Sequence, residues 1–287
     1  MTPISEIITN LSVLPPRYNL MLEHALDAVG DEQEREELAT VACVLSSATW
    51  QHWQAWRSHE DNGRRHEWIV FANVMKIAES EKLTLEEKRI ATAFCFTHDS
   101  FFIKRIMEND IVKKRAQGRD AEADEMELLK AEQRNQHMQG GAKDAAFLLS
   151  RLRHPTKTTM PLFSQAEIDK CVDIIAIHDK WKLDTPAPPP TNDRLAVACV
   201  EGDALWPLHP IGVLADIERP TQGITKDFSE ASEWRHKLQQ NLRTLLGYQT
   251  KWIKQGIAKE DFRDDDSIFR TKEGHRLYSE WRNLWAL

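Results

Sequence analysis

Eleven histidines are spread along the 287 residues. Four of them, His66, His98, His137 and His178, fall on the apolar stripes of segments with helical periodicity. A buried ionisable group is unfavourable unless it is paired or bound to a cation, so positions of this kind require a shared partner. His98 shares its face with Ala91, Phe94, Cys95, Phe101 and Phe102, at offsets of three, four and seven. His178 follows Cys171, Ile174 and Ile175 at the same offsets, and His66 precedes Ile69, Val70 and Asn73. His137 lies just before Gly140 and Gly141, where another element or a ligand could approach closely. Asp203 repeats the pattern, with Ala196, Cys199 and Val200 behind it. Five inward-pointing imidazole and carboxylate groups on five successive helices point to a common metal site.

The adjacent pair His98-Asp99 is the most informative element. Consecutive residues of a helix point about 100° apart. The pair can therefore reach two neighbouring ions, or bridge them through the carboxylate. Histidine and aspartate ligands without thiolates suit a hydrolytic or oxygen-activating centre of iron, manganese, cobalt or magnesium type. They do not suit a structural cysteine-rich zinc site. Asp179, beside His178, reads as an outer hydrogen-bond acceptor or a surface residue. Arg134 lies three residues before His137, on the same helix face, and is the first choice for contact with an anionic substrate group. Lys104 and Lys180 are weaker choices, turned well away from Asp99 and His178. His59 is the one rival to His66, and no apolar stripe follows it. The remaining histidines read as packing or surface residues.

These side chains must be positioned by helices, because strand signals are scarce. Helical periodicity runs over 18–30, 35–57, 66–80, 85–108, 121–152, 164–181, 191–206, 227–255 and 273–284. Thr84 before Leu85-Glu86-Glu87, Ser164 before Gln165-Ala166-Glu167, and Asn192-Asp193 after a proline run are helix starts. Pro15-Pro16, Gly63, Pro155, the run Pro186 to Pro190, Pro207 and Pro220 are breaks. The charged stretch from Lys113 to Glu132, with Gly118 inside it, reads as a solvated helix and turn. An all-α protein is expected. Its parts would be an N-terminal helical extension (1–57), a metal-binding core (58–215) and a Trp-rich helical C-terminal extension packed on the core (216–287). Tryptophans near both ends read as aromatic caps on a central body.

Composition narrows the classes further. A chain 41% apolar and 29% charged is of ordinary globular type. A net charge of -7 without a basic stripe argues against a protein that coats nucleic acid. There is no basic leader followed by an apolar run, and no stretch near the roughly 20 apolar residues of a membrane span. A soluble, cytoplasmic protein is the expectation. Cys43, Cys95, Cys171 and Cys199 are widely separated and read as reduced, buried thiols. Neither a Gly-x-Ser-x-Gly element nor a phosphate-cradling glycine loop is present.

The ordered elements are Arg65-His66-Glu67, Thr97-His98-Asp99-Ser100, His137-Met138-Gln139-Gly140-Gly141, Ile177-His178-Asp179 and Glu201-Gly202-Asp203-Ala204. Together they resemble the HD-domain superfamily of metal-dependent phosphohydrolases, in its multi-histidine branches. The resemblance covers residues 66–203, about half of the chain. Phe102 stands where many family members carry a lysine, and no Gly-Tyr-Pro element follows His178. The resemblance implies an HD-domain-like helical bundle holding two divalent ions. His66, His98, Asp99 and Asp203 would hold one; Asp99, as a bridge, with His137 and His178 would hold the other. Iron or manganese comes first, with cobalt, magnesium, nickel or zinc also within the range of the ligand set. The implied activity is hydrolysis of a nucleotide or small phosphoester through metal-activated water, with Asp99 and Arg134 as catalytic residues. The partner would be a small phosphorylated molecule, with neither a nucleic-acid polymer nor a membrane. Two alternatives stay open. One is a diiron oxygenase similar to myo-inositol oxygenase, acting on a small hydroxylated or phosphonate-like substrate. The other is a metal-stabilised binding or regulatory module.

Overall fold

The computed structural model describes residues 22–53, 61–101, 108–180, 192–209 and 269–284, with Gly212 and Gln239 singly. His59, Phe102, Lys104, the proline run 186–190 and the expected helix over 227–255 lie outside the described residues. A helical turn over 22–26 precedes α1 (Glu32–Trp53), α2 (Asp61–Ser80), α3 (Leu85–Thr97) and α4 (Glu108–Ala116). There follow α5 (Asp120–Leu149), α6 (Gln165–Ile175), α7 (Arg194–Leu205), a 3-10 turn (Trp206–Leu208) and α8 (Lys272–Leu284). The fold is all-α, and among the described residues the only β pairing is an isolated bridge between Arg153 and Pro161. No helix among the described residues is long and apolar enough to cross a membrane.

Local chemistry sets several helix starts. Thr84 accepts a hydrogen bond from the Glu87 amide while Glu87 accepts one from the Thr84 amide at 2.8 Å, a reciprocal cap. Ser164 and Glu167 repeat it ahead of α6. Asp193 accepts from the Ala196 amide at 3.0 Å to start α7.

From Ile90 to Thr97 every residue of α3 is buried, and from Leu195 to Leu205 every residue of α7. A helix apolar all round belongs inside a fold. Accordingly α3 lies at the centre, in contact with α1, α2, α5, α6 and α7. Around it, Trp68 meets Phe96 edge to face with ring centres 4.8 Å apart, and Phe71 at 5.8 Å. Trp68 is thus a core residue, placed on α2 against α3.

Charged residues tie the helices together at the rim. Lys88 reaches Glu34 on α1 and Glu79 on α2, both at 2.5 Å. Its neighbour Arg89 pairs with Glu37 on α1 and with Glu167 on α6, the latter at 2.8 Å. Arg89 also donates to the Leu162 carbonyl and lies 5.4 Å over the Phe163 ring. All four cysteines are free and buried, and burial pushes the Cys43 and Cys171 thiols up to about 12.

Two helices end earlier than their apolar periodicity suggests. The segment 85–108 stops at Thr97 and turns through 98–99, and helix resumes at Glu108. The segment 164–181 likewise stops at Ile175 and turns through 176–179. His98 and His178 therefore sit just beyond helix ends and not on helix stripes.

Candidate metal centre

The early helix ends explain how two of the histidines are oriented. The last carbonyls of an α-helix have no partner within it. His98 Nδ1 lies 3.1 Å from the Phe94 carbonyl oxygen and 3.2 Å from that of Cys95. At the end of α6, His178 Nδ1 lies 2.7 Å from the Ile175 oxygen. His137, from the middle of α5, makes the same contact with the Phe101 carbonyl. A carbonyl only accepts, so Nδ1 carries a hydrogen in all three rings, and Nε2 is the nitrogen that each ring turns to the interior. His66, in α2, is held differently: the Trp206 indole stands edge-on to its ring, with centres 4.8 Å apart.

Close backbone contact brings these elements into register. At Gly202 a side-chain carbon would lie 2.3 Å from Val74 Cγ2 and 3.1 Å from the Val74 amide nitrogen, so α2 and α7 cross almost backbone to backbone. Asn73 Nδ2 donates to the Gly202 oxygen at 3.1 Å beside that crossing. This sets Asp203 opposite His66. On α5, a carbon added to Gly141 would lie 2.9 Å from the His98 carbonyl oxygen, and one on Gly140 would enter the Phe101 ring. The glycine pair thus seats the 98–101 turn on α5 and brings Asp99 to His137.

Six residues converge. His66 Nε2 lies 3.0 Å from His98 Nε2, 3.3 Å from Asp99 Oδ2 and 3.4 Å from Asp203 Oδ1. His98 Nε2 lies 3.5 Å from Asp203 Oδ1 and 3.9 Å from Asp99 Oδ2. The other oxygen, Asp99 Oδ1, lies 3.0 Å from His137 Nε2. His178 completes a second group with Asp99 and His137, whose ligand atoms all lie within 4.8 Å of one another. Two ligands at about 2.1 Å from one ion and at right angles to each other stand about 3.0 Å apart, so the first group has the spacing of a coordination shell. His137 Nε2 is buried, and the polar atom it faces is Asp99 Oδ1 at 3.0 Å, so an ion there would be met by a nitrogen and a carboxylate oxygen. The residues therefore fit metal ions.

Electrostatics agree with a cation-binding role. Burial alone would raise the Asp99 carboxyl, but His98, His137 and His66 around it hold it well below the usual carboxylate range. Burial works against a charged His98, yet Asp99 and Asp203 outweigh it and raise the ring to about 9. His178 goes the other way, down to about 4, through burial with His98 and His137 nearby and against the pull of Asp179 and Asp203. His178 is thus a neutral ligand in waiting, whereas His98 holds a proton that an incoming ion must displace.

The sign of that linkage gives an expected result. The raised value in the folded chain means that His98 contributes stability to chelator-stripped protein fully below about 6.5 and loses it as pH rises through about 9. Metal affinity should climb over the same window, by up to about tenfold per pH unit. Calorimetric titration at pH 7 in two buffers of different ionisation enthalpy should give about one proton released with the first ion. No proton release would mean that His98 is already neutral in the metal-free chain at pH 7.

Asp179 is buried, not on the surface, and its Oδ2 accepts from Arg134 Nη1 at 2.6 Å. Its Oδ1 lies 3.9 Å from His178 Nε2, and His178, Asp179 and Asp203 form a third group spaced to hold a cation. Arg134, chosen from sequence as an anion contact, is thus engaged with a carboxylate beside the centre. Sequence reasoning missed Glu201, two residues before Asp203 on buried α7. Glu201 accepts from the Arg270 amide and the Thr271 hydroxyl, both at 2.5 Å, where α8 begins. An acid inside the run Val197 to Leu205 was the available signal. Comparison with family models, curated proteins and solved structures gave no match to this chain.

Proposed function

We propose that the chain is a metal-dependent phosphohydrolase of the HD type. Asp99 would bridge two divalent ions, one held also by His66, His98 and Asp203 and the other by His137 and His178. The observation that carries this reading is the position of Asp99. Its Oδ2 faces His66 and His98 while its Oδ1 faces His137. Its side chain is 28% exposed, against 6% or less for His66, His98, His137, His178 and Asp203. A structural metal site is closed on all sides, whereas a catalytic one keeps an open face. Here the open face lies at the carboxylate shared by both groups.

Divalent ions in these positions would supply Lewis-acid charge for a phosphate and acidify water. The chain's own contribution is orientation and exclusion of solvent. The Nδ1–H bonds of His98, His137 and His178 fix three imidazoles, and His66, His98, His137, His178 and Asp203 are all buried. The ordered resemblance over 66–203 supports a phosphoester substrate, a nucleotide or a smaller molecule. Iron and manganese suit its nitrogen and oxygen donors.

The test is metal analysis of protein purified without added metal, followed by a phosphoester screen with manganese or ferrous ion. About two ions per chain and phosphate release abolished by chelator are expected. Two irons with dioxygen consumption and no hydrolysis would replace this reading with the oxygenase one. Full occupancy without any turnover would favour a metal-stabilised module.

A further inference from the structure

We propose that the second ion has two overlapping seats, and that Arg134 is the positioning residue that selects between them; the inference rests on the dinuclear reading above. His178 belongs to two candidate groups, one with Asp99 and His137 and one with Asp179 and Asp203. It offers a single inward nitrogen, because its Nδ1–H is spent on the Ile175 carbonyl. Both groups therefore cannot be filled at once. They are alternative positions for one ion, an outer seat that includes the part-exposed Asp99 and an inner seat whose three ligands are all buried.

Arg134 lies on the inner side. Its Nη1 holds Asp179 Oδ2 at 2.6 Å, while Asp179 Oδ1 is left 3.9 Å from His178 Nε2. The guanidinium keeps its charge at every accessible pH and repels a divalent ion in the inner seat. It also draws on the carboxylate that such an ion would need. Arg134 thus biases the ion outward, to the seat that solvent and substrate can reach. The consequence is a preference for an exposed, reactive position over a closed, inert one.

Manganese binding to the full chain, followed by titration calorimetry with circular dichroism as a folding control, separates the seats without reference to turnover. Asp179→Asn should keep two ions, with the second affinity changed by less than about threefold, because the outer seat is intact. His137→Ala should still bind two, the second now in the inner seat. Adding Arg134→Ala to His137→Ala should tighten that second ion by roughly tenfold, as a like charge is removed. His137→Ala with Asp179→Asn should bind one ion only. A purely structural role for Arg134 would loosen binding and would not depend on the Asp179 carboxylate. His137→Ala losing the second ion outright, or keeping it after Asp179→Asn is added, would overturn the two-seat proposal. Wild-type chain binding fewer than two ions would instead overturn the dinuclear reading on which it rests.

Discussion

On the proposed phosphohydrolase reading, Asp99→Ala should leave the chain with at most one ion and reduce phosphoester turnover by at least about 10²–10³-fold, the range for losing one charge-stabilising group at a reacting centre. The reason is that Asp99 belongs to both ligand groups. Its two oxygens lie 3.3 Å from His66 Nε2 and 3.0 Å from His137 Nε2. Of the six, Asp99 is the residue that the group of His66 and His98 shares with the group of His137 and His178. Asp203→Ala, by contrast, should weaken the first ion and leave the Asp99–His137–His178 group whole. Asp99→Asn keeps the shape and removes the charge, and should fall between the two in metal content. Metal stoichiometry and kcat/KM are to be measured on the same preparations, with far-UV circular dichroism to show that each variant is folded. Asp99→Ala retaining two ions and full turnover would remove Asp99 from the centre and end the bridging assignment.

The helical class was legible because its signals are local. Thr84 with Glu87 and Ser164 with Glu167 carry their reciprocal caps within four consecutive residues, and the helices start there. The ends of α3 and α6 were not legible for an equally physical reason. Apolar spacing continues past both of them, through Phe101 and Ile177, so periodicity alone extends the helix. What stops it is a side chain that satisfies the terminal carbonyls, His98 at one end and His178 at the other. Five of the six residues that converge had been picked out as polar positions on apolar stripes, and Asp99 as the neighbour of His98 in the doublet. Their division between the two oxygens of Asp99 is a matter of side-chain placement that spacing does not encode. Arg134 with Asp179, 45 residues apart, and Glu201 with Thr271, 70 apart, are pairings that only the packed chain creates. Arg134 was read as a substrate contact on the face of His137 because its partner lay on a different element.

Without touching the candidate metal centre, Arg89→Ala is expected to destabilise the fold by about 3 kcal/mol, the lower end of the range for breaking a buried ion pair. Arg89 joins α3 to both α1 and α6, through Glu37 and Glu167. Glu167 is buried, and removing Arg89 leaves its charge without the guanidinium partner. Glu37 is 30% exposed and can be rehydrated, which is why the lower end of the range applies. For a chain of this size the loss corresponds to a fall in Tm of roughly 5 °C. The compensating variant is Glu167→Gln. A glutamine still accepts the Ser164 amide bond that starts α6, and it removes the stranded charge. Arg89→Ala with Glu167→Gln should therefore be more stable than Arg89→Ala alone, by about 1–2 kcal/mol in a urea titration. The same rim holds α3 and α6, which carry His98, Asp99 and His178 at their ends. Manganese should accordingly recover part of the lost Tm, since an ion that binds only the folded chain stabilises it by mass action. A double variant no more stable than Arg89→Ala would mean that the arginine acts through packing on Phe163 and the Leu162 carbonyl, and not through the buried charge.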